Sequence, residues 1–117
     1  MSSLKECIFC KIVNREIKGE IVFENDKILA FRDISPQAPV HILLIPKRHI
    51  TGLNEISSNE NELLGQMLNV IKELARSEKI EKDGYRVVVN CGPNAGQAVA
   101  HLHYHLLGGR RFSWPPG

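Results

Sequence analysis

Fifteen Lys and Arg against thirteen Asp and Glu leave this 117-residue chain a formal charge of +2, too weak to make a nucleic-acid or membrane surface by charge alone. The length suits one domain, residues 1–117, with room for a hydrophobic core that needs no disulfides. No segment approaches the ~20 apolar residues of a membrane span, and "MSSLKECIFCKIVNREI" holds no signal-type apolar run, so a cytoplasmic protein is expected, with neither membrane nor nucleic acid as partner.

Residues 8–13, "IFCKIV", space apolar side chains at i, i+1, i+4 and i+5, which predicts a short helix carrying Cys10, with Cys7 at its start. "EIVFEN" and "KILAFRDI" are β-prone runs parted by Asn25-Asp26, a hairpin. "VHILLIP" is a third strand, ended by Pro46, with His41 near its start and His49 just beyond it. From Ser57 the apolar positions 63, 64, 67, 68, 71, 74 and 75 take helical spacing, and Ser57 with Glu60 supplies a capping box. This one long helix is expected to end before Asp83-Gly84. "YRVVVN" is a fourth strand, "CGPNAGQAV" a glycine loop and "AHLHYHLLGG" a fifth strand. Hairpin-linked strands with segregated helices predict an α+β fold on an antiparallel sheet.

Three of the five histidines alternate in "HLHYHLLGG": His101, His103 and His105. On a helix they would diverge, whereas on a strand they share one face, about 6.5 to 7 Å apart, and Leu102, Tyr104 and Leu106 fill the single buried face opposite. Three imidazoles buried without partners would cost on the order of 1 to 3 kcal/mol each, which favours a functional row. Two versions stand: a metal site using two or three of the rings, or a histidine nucleophile with histidine helpers.

Cys7-x-x-Cys10 bears on the choice. A structural zinc site takes four thiolate or imidazole ligands, and this spacing supplies two. His49 and His101, at neighbouring strand ends, are the candidates to complete the set, and if His101 turns to the metal, His103 and His105 are left for chemistry. Ordinary free thiols are the other reading, and a redox pair is disfavoured because no βαβ unit holds it. Cys91 reads as a buried small hydrophobe. In "NCGPNAGQAV", Gly92 and Gly96 allow unusual backbone angles, so successive N–H groups can form an anion cradle, to which Asn90 adds an amide. His41 is either a satisfied core histidine or part of the imidazole cluster.

"HLHYHLL", residues 101–107, resembles the signature of the histidine triad (HIT) family, His-φ-His-φ-His-φ-φ with φ apolar. With "AFRDISPQAPVHILLIPKRHI", "YRVVVNCGPNAGQAVAHLHYHLLGGR" and the ending "WPPG", nearly the whole chain resembles the Hint branch of nucleotide-binding phosphoramidases. The resemblance implies a HIT-like fold, a five-stranded antiparallel sheet with one long and one short helix, in a homodimer whose central strands join into a ten-stranded sheet. It implies a hydrolase that cleaves the P–N bond of purine nucleoside 5′-phosphoramidates of the adenosine 5′-monophosphoramidate type. His103 would attack the α-phosphorus and form a nucleotidyl-histidine, with His105 against the phosphate and His41 in the same catalytic group. An imidazole is a competent nucleophile when its other nitrogen is hydrogen-bonded to an acceptor.

By the same resemblance Asn90, Gly96, Gln97 and Ala98 lie on the phosphate side, and Asp33 and Ile34 at the nucleoside, Asp33 accepting from the ribose hydroxyls. Ile17, Phe31 and Leu43 match apolar positions around the base. Ala98 stands where Hint enzymes commonly carry serine, which implies slower turnover or an altered leaving-group preference. Cys7, Cys10, His49 and His101 match a zinc-bearing subset with one structural zinc per subunit, and the related galactose-1-phosphate uridylyltransferases also place a zinc ligand just before the nucleophilic histidine. Trp114 and the Pro-Pro-Gly tail resemble a segment that reaches the partner's active site. The alternatives are a Fhit-type dinucleoside polyphosphate hydrolase, a zinc-stabilised nucleotide-binding module with little turnover, and a catalytic zinc on the triad itself, which would leave "CIFC" and His49 without a role.

Overall fold

The computed structural model describes residues 6–117. Its first helix, α1 (Ile8–Val13), is opened by Cys7, whose backbone is extended and whose Sγ accepts the Cys10 N–H at 3.4 Å. Six residues make too few internal hydrogen bonds to hold a helix in water, so α1 depends on the face it buries, Phe9, Cys10 and Ile12. β1 (Ile21–Glu24) and β2 (Ile28–Arg32) form the expected hairpin. Asn25 makes the turn: its Oδ1 accepts from the Lys27 and Ile28 N–H groups at 2.9 and 2.8 Å.

β3 (Val40–Pro46) covers the whole of "VHILLIP". The expected capping box is present, with the Ser57 N–H donating to Glu60 Oε2 at 3.0 Å. It caps one 3-10 turn, Ser58–Glu60, from which α2 (Asn61–Ser77) continues. β4 (Tyr85–Val89) and β5 (Tyr104–Gly108) complete a sheet of order β1-β2-β3-β5-β4, antiparallel throughout. This is the expected α+β architecture with one long and one short helix. No helix among the described residues is long and apolar enough to cross a membrane.

The two helices cover opposite faces. Ile28, Ala30, Ile42 and Leu44 pack with Met67, Ile71 and Leu74 of α2, while Leu29, Phe31, Leu43 and Ile45 turn onto Cys7, Phe9 and Cys10. Because β2 and β3 are buried on both faces, they read as unbroken apolar runs instead of alternating ones.

Two expectations need correction. The fifth strand begins only at Tyr104, so His101 and His103 precede the ladder. The N–H of Leu102 donates to Ile50 O at 2.6 Å and that of His101 to Val99 O at 2.9 Å, so loops hold this segment. The histidine face is also not the solvent face of a half-buried strand. α1 covers it, leaving His101 0% and His103 5% exposed, while Tyr104 and Leu106 are buried toward α2.

Candidate functional site

α1, the end of β3 and the segment before β5 bring Cys7, Cys10, His49 and His101 together, with all four donor atoms within 4.8 Å of one another. Cys10 Sγ lies 3.2 Å from His49 Nδ1 and 3.6 Å from His101 Nδ1, and Cys7 Sγ lies 3.4 Å from His101 Nδ1. Tetrahedral zinc, with bonds of ~2.3 Å to sulfur and ~2.0 Å to nitrogen, requires N···S edges of about 3.5 Å. The donor set has that size.

Protonation supports the same fit. His101 Nε2–H donates to Pro46 O at 2.8 Å, which leaves the lone pair on Nδ1, facing the sulfurs. Burial holds the His101 pKa down at about 4, so the ring is neutral at pH 7. Burial, with Cys7 alongside, raises the Cys10 thiol to about 11. Two crowded, buried thiols gain most from a cation, which reverses that shift.

The second cluster begins at the His101 backbone. His103 Nδ1–H donates to the His101 carbonyl at 2.7 Å, so the lone pair of its imidazole is on Nε2. On β3, His41 Nδ1 accepts the Gln37 N–H at 3.0 Å, so its proton sits on Nε2, 2.9 Å from His105 Nδ1 and 3.5 Å from Asp33 Oδ2. The shorter contact makes His105 Nδ1 the acceptor and leaves the His105 proton on Nε2. His105 stands between its neighbours, with ring centroids 5.1 Å from His103 and 5.2 Å from His41. Burial lowers the His41 pKa, and burial with the two neighbouring rings lowers that of His105 to about 4.

Asp33, His41 and His105 also bring three possible ligand atoms together. They do not fit a metal, because Gln37 occupies the His41 Nδ1 lone pair and the Nε2 that faces the cluster carries a proton. That argues against a metal held by Asp33, His41 and His105.

The other expected residues divide. Asp33 Oδ1 accepts the Ser35 N–H at 2.8 Å, leaving Oδ2 on the histidine side. Ile34 beside it is 95% exposed, a large apolar side chain offered to solvent. Phe31 and Leu43 are buried in the α1-side cluster, with Ile17 at its margin. Asn90 is half-buried after β4, Gly96 is left-handed at φ 79, and Ala98 is exposed. The Gln97 side chain is spent on main-chain groups of its own loop and of Thr51. Its Oε1 accepts the Gly92 N–H at 3.0 Å and its Nε2 donates to Thr51 O at 2.8 Å and Val99 O at 3.1 Å, while the Gln97 main-chain N–H donates to Gly92 O at 3.2 Å, so the residue holds the loop together. Cys91 is only half-buried, contrary to expectation.

Phe9 was missed by the sequence reading. Its ring meets His103 at 5.1 Å, Phe31 at 5.4 Å and His101 at 5.9 Å between centroids, edge to face. Its place inside Cys-x-x-Cys was the available signal.

A family profile described as HIT domain matches residues 14–112, most of the chain. The chain belongs to the HIT family. The matched span begins after α1, so in this HIT protein Cys7 and Cys10 lie outside it and the three alternating histidines lie inside. Its relatives include the 14 kDa zinc-binding protein of Zea mays, 54% identical over 112 residues that cover 94% of this chain and 87% of that one. The adenylylsulfatase HINT1 of Arabidopsis thaliana is 50% identical over 112 residues, covering 94% and 76%. Among solved structures, a HIT family hydrolase from Legionella pneumophila Philadelphia 1 superimposes with a TM-score of 0.93 at 51% identity, covering 95% of this chain and 99% of that one. The sheet, helices and histidine signature are thus those of a HIT-like, Hint-type domain.

Proposed function

We propose that this HIT protein is a hydrolase of the Hint type that cleaves the P–N bond of purine nucleoside 5′-phosphoramidates through a nucleotidyl-histidine on His103. The observation that carries this reading is the 2.7 Å bond from His103 Nδ1–H to the His101 carbonyl, which leaves Nε2 as a lone pair on an oriented ring. Nε2 forms a bond to the α-phosphorus, the P–N bond breaks, and the amine departs with a proton from solvent. Water then attacks the same phosphorus and returns Nε2 to its free state, releasing the nucleoside monophosphate. His105, neutral with its proton on Nε2, donates to a phosphate oxygen. Asp33 Oδ2 accepts from the ribose, and Asn90, with the loop closed by the left-handed turn at Gly96, lies on the phosphate side.

Cys7, Cys10, His49 and His101 would hold one zinc, which when bound supplies structural cross-linking and positive charge to two thiolates and takes no part in bond breaking. Free cysteines in a metal site suit the reducing cytoplasm. β4 lies at the sheet edge with Tyr85 and Val87 more than one-third exposed, which favours pairing of two such edges into a ten-stranded homodimer.

The test is turnover of an adenosine 5′-phosphoramidate bearing a fluorogenic amine, by wild type, His103→Ala and a chelator-treated sample. Activity lost in the variant and retained without metal supports the reading. Equal turnover by His103→Ala overturns the nucleophile. Parallel samples with a dinucleoside polyphosphate and with adenylyl sulfate, the substrate class in the Arabidopsis relative's name, separate the other hydrolase readings. Nucleotide binding without turnover of any would leave a binding module.

A further inference from the structure

The turn after β5 is built against the loop that begins at Asp33. Gly109 has φ 89, and a Cβ there would lie 2.9 Å from Pro39 Cβ, so glycine lets this turn pack directly on the Pro39 ring. This close approach sets Arg110 over Gln37. Arg110 Nε donates to the Gln37 carbonyl at 3.0 Å, its Nη1 donates to Arg111 O at 3.0 Å, and its guanidinium lies 4.2 Å from the Phe112 ring centroid. Gln37 in turn gives its N–H to His41 Nδ1 at 3.0 Å, and His41 Nε2–H meets His105 Nδ1 at 2.9 Å.

We propose that Arg110 is a positioning residue that fixes, through Gln37, which ring nitrogens of His41 and His105 carry their protons. Held by its carbonyl, Gln37 keeps its N–H on His41 Nδ1 and forces the His41 proton to Nε2. His105 Nδ1 must then accept, and the His105 proton stays on Nε2. Without the anchor Gln37 can turn away, and His41 can carry its proton on Nδ1. Its bare Nε2 then faces His105 Nδ1, draws the His105 proton there and leaves Nε2 of His105 with nothing to donate. The catalytic consequence rests on the phosphate role proposed above for His105, while the proton positions do not depend on it.

The test reads the protonation state of each ring nitrogen directly, by NMR of protein with 15N-labelled histidine at pH 7, for wild type, Arg110→Ala and Arg110→Lys. Wild type is expected to show His41 and His105 each bare at Nδ1 and protonated at Nε2. Arg110→Ala is expected to add signal from protonated Nδ1, and Arg110→Lys, which keeps a donor, to retain the wild-type pattern. For the exposed Arg110 the unfolding midpoint should stay in place, while kcat/KM for the phosphoramidate falls roughly three- to tenfold in Arg110→Ala. A wild-type nitrogen pattern in Arg110→Ala overturns the proposal whatever the activity. Should wild type fail to turn over the phosphoramidate, the substrate reading fails, and the nitrogen pattern still decides the role of Arg110.

Discussion

His101 serves both clusters: Nδ1 faces the cysteines and the carbonyl oxygen holds the His103 ring. The second duty belongs to the main chain, so a side-chain change at 101 and one at 103 have different signatures. His103→Ala should lower kcat by about 10³-fold or more with little change in nucleotide affinity, since it removes the atom proposed to bond to phosphorus. Single-turnover kinetics and nucleotide titration check this pair of outcomes. His101→Ala should instead lower the unfolding midpoint and abolish zinc uptake, while the surviving protein forms the nucleotidyl adduct, detected by mass spectrometry. Gln97 gives a residue-scale prediction of another kind. Its amide makes three hydrogen bonds, two within the loop and one across to Thr51 O, so Gln97→Ala should destabilise the fold by about 1–3 kcal/mol, read by urea denaturation.

Among the elements, α1 is the most dependent on its surroundings. Its six residues are held by a buried face and by two cysteines of the four-residue cluster. Metal removal should therefore raise hydrogen exchange across residues 8–13 while β2 and β3 remain protected, measured by exchange mass spectrometry of chelated and zinc-loaded protein. The other elements were legible in the sequence because their causes are local. Asn25 turns the hairpin with its own side chain, Ser57 and Glu60 cap across three residues, and α2 buries one stripe. The start of β5 was not legible, since it depends on Leu102 reaching Ile50 and no local pattern reports that bond. At the site, the spacing of cysteines and histidines announced the four-residue cluster. The tautomers did not show, because they are set by Pro46 O, Gln37 N–H and His101 O, main-chain groups that every sequence possesses.

For the molecule as a whole, the buried neutral histidines set an acid limit. The His101 and His105 pKa values stand at about 4 in the folded chain, and that of His41 is also lowered, against ~6.5 when unfolded. Between those values the unfolded chain binds more protons than the folded one. Their contribution to stability is therefore intact above about pH 6.5 and lost as the pH falls toward 4. The thermal midpoint of metal-free protein should decline across that window, and less steeply in His105→Asn, as calorimetry at fixed ionic strength would record. The carbonyl at position 101 also bears on how such a chain can change through descent. A lineage could exchange both cysteines for apolar residues, give up the metal, and still inherit an aimed His103, because the atom that aims it is common to every amino acid. The family profile, which begins beyond the cysteines and includes all three alternating histidines, has boundaries that fit such a history.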